Sequence, residues 1–164
     1  MAETQRRPVP RVDGDELETT LAFLDFQRES VLIKCDGLSE DQLRTSVVET
    51  GTNLLGLVAH LTVGERYWFS HTLAGREPEQ EWDFEPVVPV GTPVEEVFAA
   101  YRAACRRSNE LIREHGDPAA PTAETVDDRP LPLRWVLAHM ATEVARHAGH
   151  ADIIREQLDG TTGR

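Results

Sequence analysis

Four long segments of the sequence repeat apolar side chains at helical spacing, and this periodicity constrains the fold more than any other feature. In the first segment, Leu17, Leu21 and Leu24 form one such face. Almost no stretch alternates apolar and polar residues as a half-buried strand would, so the sequence predicts an all-α protein. Four helices of this length are typical of a four-helix bundle. The predicted helices span about 15–35, 53–74, 92–115 and 132–158.

The connections between these helices are long for a bundle. Each has about 16 residues, whereas helix connections in bundles commonly have about 2–8. Long connections allow neighbouring helices to run parallel, so we expect a bundle with long crossover loops. In the second connection, Trp82 and Phe84 should fold back onto the bundle because both rings are large and apolar. The third connection, 117–130, is rich in Pro, Ala and Asp and is expected to be a loop.

Capping residues mark the predicted helix ends. Ser39 is the expected cap of one short helical turn in the first connection, and Thr52 is the expected cap of the second helix. Thr92, Pro93 and Glu95 together predict the cap, the first-turn proline and the capping box of the third helix. The predicted helices end at glycines, namely Gly37, Gly75, Gly116 and Gly160.

The chain is acidic, with 17 Lys and Arg against 29 Asp and Glu and a net charge of −12. Such a charge repels phosphate backbones and anionic lipids, so binding to nucleic acid or to a membrane surface is not expected. The two cysteines, Cys35 and Cys105, are too few for a disulfide framework and are expected to be reduced. With no apolar leader and no apolar run of about 18 residues, we expect a cytoplasmic protein. A single domain, 12–164, should follow a flexible tail, 1–11.

Four ionisable side chains share one face of the last predicted helix. At about 100° per residue, His139, Glu143, His147 and His150 fall within an arc of about 80°. Apolar side chains occupy the same arc, so this face is expected to point into the core. A buried carboxylate or imidazole requires a partner, and one divalent cation would satisfy several of these groups together. The apolar residues of the arc are Val136, Met140 and Ile154.

A third metal ligand is expected from another helix, and His60 is the best candidate. It lies in the middle of the second predicted helix, with Gly56 and Gly64 four residues away on either side. The glycines allow a close approach of helices, leave room for a ligand above His60 or relieve crowding in the core. By spacing alone, His60 could equally be a core histidine satisfied by a hydrogen bond, and Glu143 with His147 a surface pair.

The other polar and aromatic residues of this region leave alternatives open. His139 is expected to lie in the core or to orient a ligand. His150 could be a fourth ligand, a hydrogen-bond donor to a ligand or a core residue. Tyr67 and Trp68 either pack in the core or line a pocket near His60. His71 is expected at the surface or rim near the end of the second helix, and His115 is expected to compensate the dipole at the C-terminus of the third helix. Arg146 or Arg155 either holds a substrate carboxylate or forms exposed ion pairs.

Two segments carry a resemblance to a known family. They are LLGLVAHLTVGERYWF around His60 and LRWVLAHMATEVARHAGHADIIRE around His147. The chain resembles, over about residues 15–158, the DinB-like superfamily of helical metalloproteins, and within it an actinobacterial branch. This superfamily includes mycothiol-dependent maleylpyruvate isomerase and bacterial thiol S-transferases. The resemblance implies a metal triad of His60, Glu143 and His147, with a glutamate at the middle position as in the isomerase branch.

The resemblance also implies an activity and its partners. We expect a transferase in which a divalent metal activates a low-molecular-weight thiol of the mycothiol type for attack on an electrophile. Zinc is the expected metal, and nickel or iron would also suit the ligands. A protein that binds a small molecule without turnover is the alternative, as is a metal-assisted hydrolase or isomerase. No residue can be assigned as a general base, and a homodimer is possible.

Overall fold

The computed structural model describes residues 8–78, 81–85 and 87–163, and it confirms the prediction of an all-α protein of DinB-like type. Most of the predicted tail, residues 1–7, lies outside the described residues. No helix in the described ranges has the length and apolar character needed to cross a bilayer. The helices are α1 Glu16–Cys35, α2 Glu40–Arg44, α3 Leu54–Glu65, a π-helix Arg66–Leu73, α4 Val94–His115 and α5 Leu133–Asp159, and a hairpin consists of β1 Pro121–Val126 and β2 Arg129–Pro132.

The cap assignments are partly confirmed and partly wrong. Ser39 caps α2 in a complete capping box with Gln42. Thr52 is not the cap of α3, because the side chain of Asn53 accepts the backbone N–H of Gly56 at 2.9 Å. At α4 the cap position is Pro93, which forms no side-chain capping bond, so the predicted capping box is wrong. In both cases the chain begins its helix one residue later than the sequence pattern suggested.

The second predicted helix has the right extent but not a uniform geometry. It begins as an α-helix and continues from Arg66 as a π-helix, the helix type defined by hydrogen bonds between residues five apart. Short π segments often occur at functional sites. Gly75 follows with φ of 65°, and a Cβ placed on it would lie 3.1 Å from Cβ of Ala123. Glycine is therefore required there by its backbone angle and by the close approach of β1.

The prediction of a loop over 117–130 is wrong, because part of this segment forms the antiparallel hairpin of β1 and β2. Asp127 and Asp128 form its turn, and both have positive φ, at 49° and 62°. Two successive residues of positive φ are typical of a type I′ turn, for which Asp is one of the tolerated residues. Thr122 also bridges the strands, since its Oγ1 accepts the N–H of Leu131 at 3.0 Å.

The core lies between α1, α3, α4 and α5. Helix α1 packs along α5, and α3 contacts both α4 and α5. Arg155 on α5 links this helix to the end of α1, because its Nη1 donates to the carbonyls of Lys34 at 3.1 Å and of Asp36 at 2.7 Å. The side chains that are almost fully buried include Leu21, Leu24, Leu54, Leu55, Leu57, Leu61, Phe69, Tyr101, Ile112, Leu133, Leu137 and Met140.

A buried ion pair joins α1 to the end of α3. Nε of Arg28 donates to Oε1 of Glu65 at 2.8 Å, and Nη2 donates to Oε2 at 2.5 Å. The guanidinium also bonds to Asp25 at 2.8 Å and to Asn109 of α4 at 2.6 Å. Arg28 is 3% exposed and Glu65 is fully buried. This group of hydrogen bonds fixes three helices relative to one another. The periodicity of the sequence did not identify the ion pair.

Removal of the charge of Glu65 should destabilise the fold strongly. In a Glu65→Gln variant the buried Arg28 guanidinium loses its buried carboxylate and keeps only that of Asp25, which is 45% exposed, and we expect a loss of up to about 3–5 kcal/mol in the free energy of unfolding. Urea denaturation, in the presence of a chelator, measures this loss. The matched control is Glu110→Gln, which removes an exposed partner of Arg107 and should cost about 0–1 kcal/mol. Equal effects of the two substitutions would contradict the structural role given to the buried pair.

Candidate metal centre

Three side chains from two helices converge beside the core. His60 comes from α3, and Glu143 and His147 come from α5. Each offers one ligand atom, and the three atoms lie within 4.8 Å of one another. Oε1 of Glu143 is 3.0 Å from Nε2 of His147 and 3.7 Å from Nε2 of His60. The residues proposed from the sequence as a ligand set therefore do meet in space.

The position of this cluster differs from the expectation. The buried face of α5 is centred about 80° from Glu143, so the ionisable arc borders the core and does not point into it. His147 is closest to the buried direction and has the least exposed side chain, at 14%. Glu143 is 28% exposed, and His150 is exposed. The cluster thus combines partial burial with access from solvent.

The backbone carbonyl of Phe84 orients His60. Nδ1 of the ring lies 2.7 Å from this oxygen, so Nδ1 carries the hydrogen and donates it. In the neutral ring Nε2 then has a bare lone pair, and it faces the carboxylate of Glu143. Two acceptors facing each other require a cation or a proton between them. A histidine that donates its other N–H to a carbonyl is the usual arrangement for a metal ligand.

His147 differs from His60 in its hydrogen bonding. Its Nε2 faces Glu143, while its Nδ1 is buried without a hydrogen-bond partner among the described residues. Burial and the charges of His60 and His150 lower the pKa of His147, although Glu143 opposes this. Burial alone would raise the pKa of Glu143, but hydrogen bonds and charge from His147 and His60 outweigh it and lower that pKa. A neutral imidazole beside an ionised carboxylate is the form that binds a divalent cation, so the three residues fit such an ion.

A cavity of about 350 Å³ opens beside the three side chains. Tyr67 and Trp68 of the π-helix line it, as the sequence suggested for a pocket near His60. Phe84 also lines it, so this part of the second connection does fold back onto the helices as predicted. Gly64 belongs to the wall, where an added Cβ would lie 3.8 Å from Cε of Met140.

The remaining histidines lie outside the cluster. His139 lines the cavity and stacks on Trp135, with ring centroids 5.1 Å apart and planes at 11°. His150 meets His147 edge to face at 5.4 Å, and its exposure contradicts the assignment to the core. His71 bonds to the carbonyl of Arg76 at 3.1 Å. Nε2 of His115 lies 3.3 Å from the carbonyl oxygen of Ala120.

The contact that orients His60 could not be found from the sequence. The sequence analysis considered His139 and His150 for the role of orienting a ligand, but the observed hydrogen-bond partner of His60 is the main chain of Phe84. A backbone carbonyl carries no residue-type signal. Only the expectation that the second connection folds back onto the helices pointed in this direction.

Neither cysteine is suited to act as a nucleophile. Both are free, with Cys35 buried and Cys105 partly buried. Burial raises the pKa of the Cys35 thiol to about 12, although Arg155 opposes the shift. Burial and the charge of Glu65 raise the pKa of Cys105 to about 12 as well. Both thiols therefore stay protonated near neutral pH, and a thiolate used by this protein has to come from a bound molecule.

Comparison with known proteins identifies one family. The model of the family described as mycothiol-S-transferase matches residues 19–160, which is nearly the whole chain. It includes the three converging residues and the lining of the cavity. No curated protein matches the sequence.

Both cysteines should resist modification in the folded protein. Because the raised pKa of about 12 leaves little thiolate at neutral pH, we expect each thiol to react with a soluble disulfide reagent at least about a hundredfold more slowly than a free cysteine. The rate should increase as pH rises toward the pKa, and full reactivity should return in guanidinium. Cys35→Ser and Cys105→Ser variants assign the signal to each thiol. Rapid labelling of either one in the folded state would contradict the inference that no protein thiolate is available.

Proposed function

The chain belongs to the mycothiol-S-transferase family, and from this premise we propose that it is a divalent-metal-dependent transferase acting on a low-molecular-weight thiol of the mycothiol type. The observation that carries the proposal is the convergence of His60, Glu143 and His147 at the wall of an open cavity. A structural metal site is normally closed by four protein ligands, whereas three protein ligands leave a position for a substrate atom.

The residues have distinct roles in this proposal. His60 and His147 would bind the ion through Nε2, and Glu143 would bind it through a carboxylate oxygen. The carbonyl of Phe84 keeps the ring of His60 in the required tautomer. A bound divalent ion would supply the positive charge that lowers the pKa of the substrate thiol and so increases its thiolate fraction.

Zinc suits this set of ligands best. Two neutral imidazoles and one carboxylate are a common ligand set of catalytic zinc sites. The same set also occurs with iron, and imidazole is a good ligand for nickel. With any of these ions the centre has a net charge of +1, because the carboxylate cancels one of the two positive charges. Such a centre favours an incoming anion, and the thiolate is the anion that the family implies.

The reaction transfers the sulfur of the thiol to an electrophile. The thiol loses its proton to solvent, a bond forms between its sulfur and the electrophilic carbon, and the leaving group departs with the bonding electron pair. The chain contributes position, because the walls of the cavity would hold the electrophile near the sulfur. The protein thiols take no part, since both stay protonated.

The metal assignment predicts which histidines matter. His147→Ala and Glu143→Gln should each lower the metal content to a small fraction of that of the unchanged protein, because two ligands hold an ion far less tightly than three. Metal analysis after equilibrium dialysis against zinc measures the content. His150→Ala is the matched control, because this residue lies on the same helix but is exposed, and it should retain the ion. If only His150→Ala lost the ion, the proposed ligand set would be wrong and His150 would be a ligand.

The transferase assignment predicts dependence on both the metal and the thiol. We expect the zinc-loaded protein to form a thioether from mycothiol and a reactive electrophile, and we expect the chelated protein to lose this activity and to regain it when zinc is restored. Mass spectrometry of the adduct provides the measurement. Full zinc occupancy without an adduct from any thiol would refute the transferase. Recovery of an unchanged small molecule would then favour a binding protein, and its hydrolysis or rearrangement would favour the hydrolase or isomerase.

A further inference from the structure

The cavity beside His60 is lined by rings and aliphatic side chains. Tyr67 is the central ring, lying edge to face against Trp68 with centroids 5.1 Å apart and against Phe84 at 5.5 Å. Leu61 and Met140 complete the apolar part of the lining. A planar aromatic molecule could make offset or edge contacts with these rings.

The charges of the same lining are also distinctive. Among the described residues that line the cavity, Glu143 is the only carboxylate, and none is a lysine or an arginine. Three arginines, Arg66, Arg76 and Arg107, line a separate cavity of about 500 Å³, which Trp82 also lines. A substrate carboxylate placed beside His60 would therefore find no cationic side chain among these lining residues, and an unpaired buried carboxylate is strongly disfavoured.

From these two observations we propose that the electrophile taken by this cavity is an uncharged aromatic molecule, and that Trp68 is a residue that determines this specificity. The conjugation of this molecule rests on the proposed function, whereas its binding in the cavity does not. The positive charge of a loaded centre is taken up by the thiolate, so a second anion gains little there. The apolar rings then favour a neutral, electron-poor ring over a charged or aliphatic electrophile.

Chlorodinitrobenzene is a suitable reactive probe of this kind. The thiolate sulfur forms a bond to the ring carbon that carries chlorine, and chloride leaves with the electron pair of the broken bond. The proton of the thiol goes to solvent, so the reaction requires no oxidant or further reagent. The product is an uncharged aryl thioether on the thiol. Its formation rate reports on the electrophile site at saturating thiol.

Binding can be tested without any reaction. Dinitrobenzene and dinitrobenzoate have the same ring, but neither carries a leaving chloride and only the second carries a carboxylate. Equilibrium dialysis is done with the full-length protein, once with a chelator and once with zinc and saturating mycothiol, so that the charge of the centre is absent or offset by the thiolate. In both conditions we expect dinitrobenzene to bind about tenfold or more tightly than dinitrobenzoate. Trp68→Leu should weaken dinitrobenzene binding about three- to tenfold, and Trp68→Phe should retain most of it. In the conjugation assay Trp68→Leu should raise KM for the electrophile without changing metal content.

Phe23→Leu is the matched control, because Phe23 lies on α1, is 41% exposed and does not line the cavity, so this variant should bind dinitrobenzene as the unchanged protein does. Tighter binding of dinitrobenzoate, abolished in Arg146→Gln, would overturn the inference and assign a carboxylate-bearing substrate to the cavity mouth. Equal binding of both probes would also overturn it. These results are separable from the proposed function, since metal-dependent conjugation of a carboxylate electrophile would keep the transferase and reject only the neutral substrate. Selective binding of dinitrobenzene without thiol turnover would keep the neutral aromatic ligand and reject the transferase.

Discussion

The buried ion pair between Arg28 and Glu65 helps to set the geometry of the candidate centre. His60 is on α3 and its two partners are on α5, so the centre exists only if these helices keep a fixed separation. Helix α1 contacts both of these helices. It packs along α5, where Arg155 holds its last carbonyls, and it is bound to the end of α3 by the two hydrogen bonds of the ion pair. A buried pair of this kind contributes little net stability compared with apolar packing, but its geometry admits few alternatives.

The same pair lies at the point where the second helix changes its winding. Glu65 is the last residue of α3, and the π-helix that carries Tyr67 and Trp68 begins at the next residue. One helix thus presents His60 on an ordinary α turn and the two large rings on a wider turn. The Arg28 guanidinium of α1 donates both to Glu65 at this junction and to Asn109 of α4, and so joins the junction to both helices. We infer that the ion pair positions the cavity wall as well as the ligand.

The sequence predicted those parts of the structure that follow from periodicity and failed where single contacts decide. Helix α5 was predicted within one residue at each end, because Gly160 and the long apolar repeat are local signals. The meeting of His60 with Glu143 required two helices to be placed in space, and the resemblance to a family supplied what spacing alone left open. The hairpin was not predicted because four-residue β2 contains two prolines, which usually argue against a strand. The buried Arg28 was missed for a related reason, since a charged residue in an amphipathic pattern normally indicates an exposed face.

The glutamate at the middle ligand position gives the centre its particular balance of charge. Three neutral histidines would leave a divalent ion with both of its positive charges, whereas Glu143 as a ligand would reduce the net charge to +1. A bound thiolate would then bring the proposed centre to neutrality, and no charge would remain to attract an acidic electrophile. The described lining residues follow the same pattern, with aromatic rings around the ligands and the arginines in another cavity. In the proposed transferase, a carboxylate ligand and an apolar cavity wall would therefore both favour an uncharged partner of the thiol.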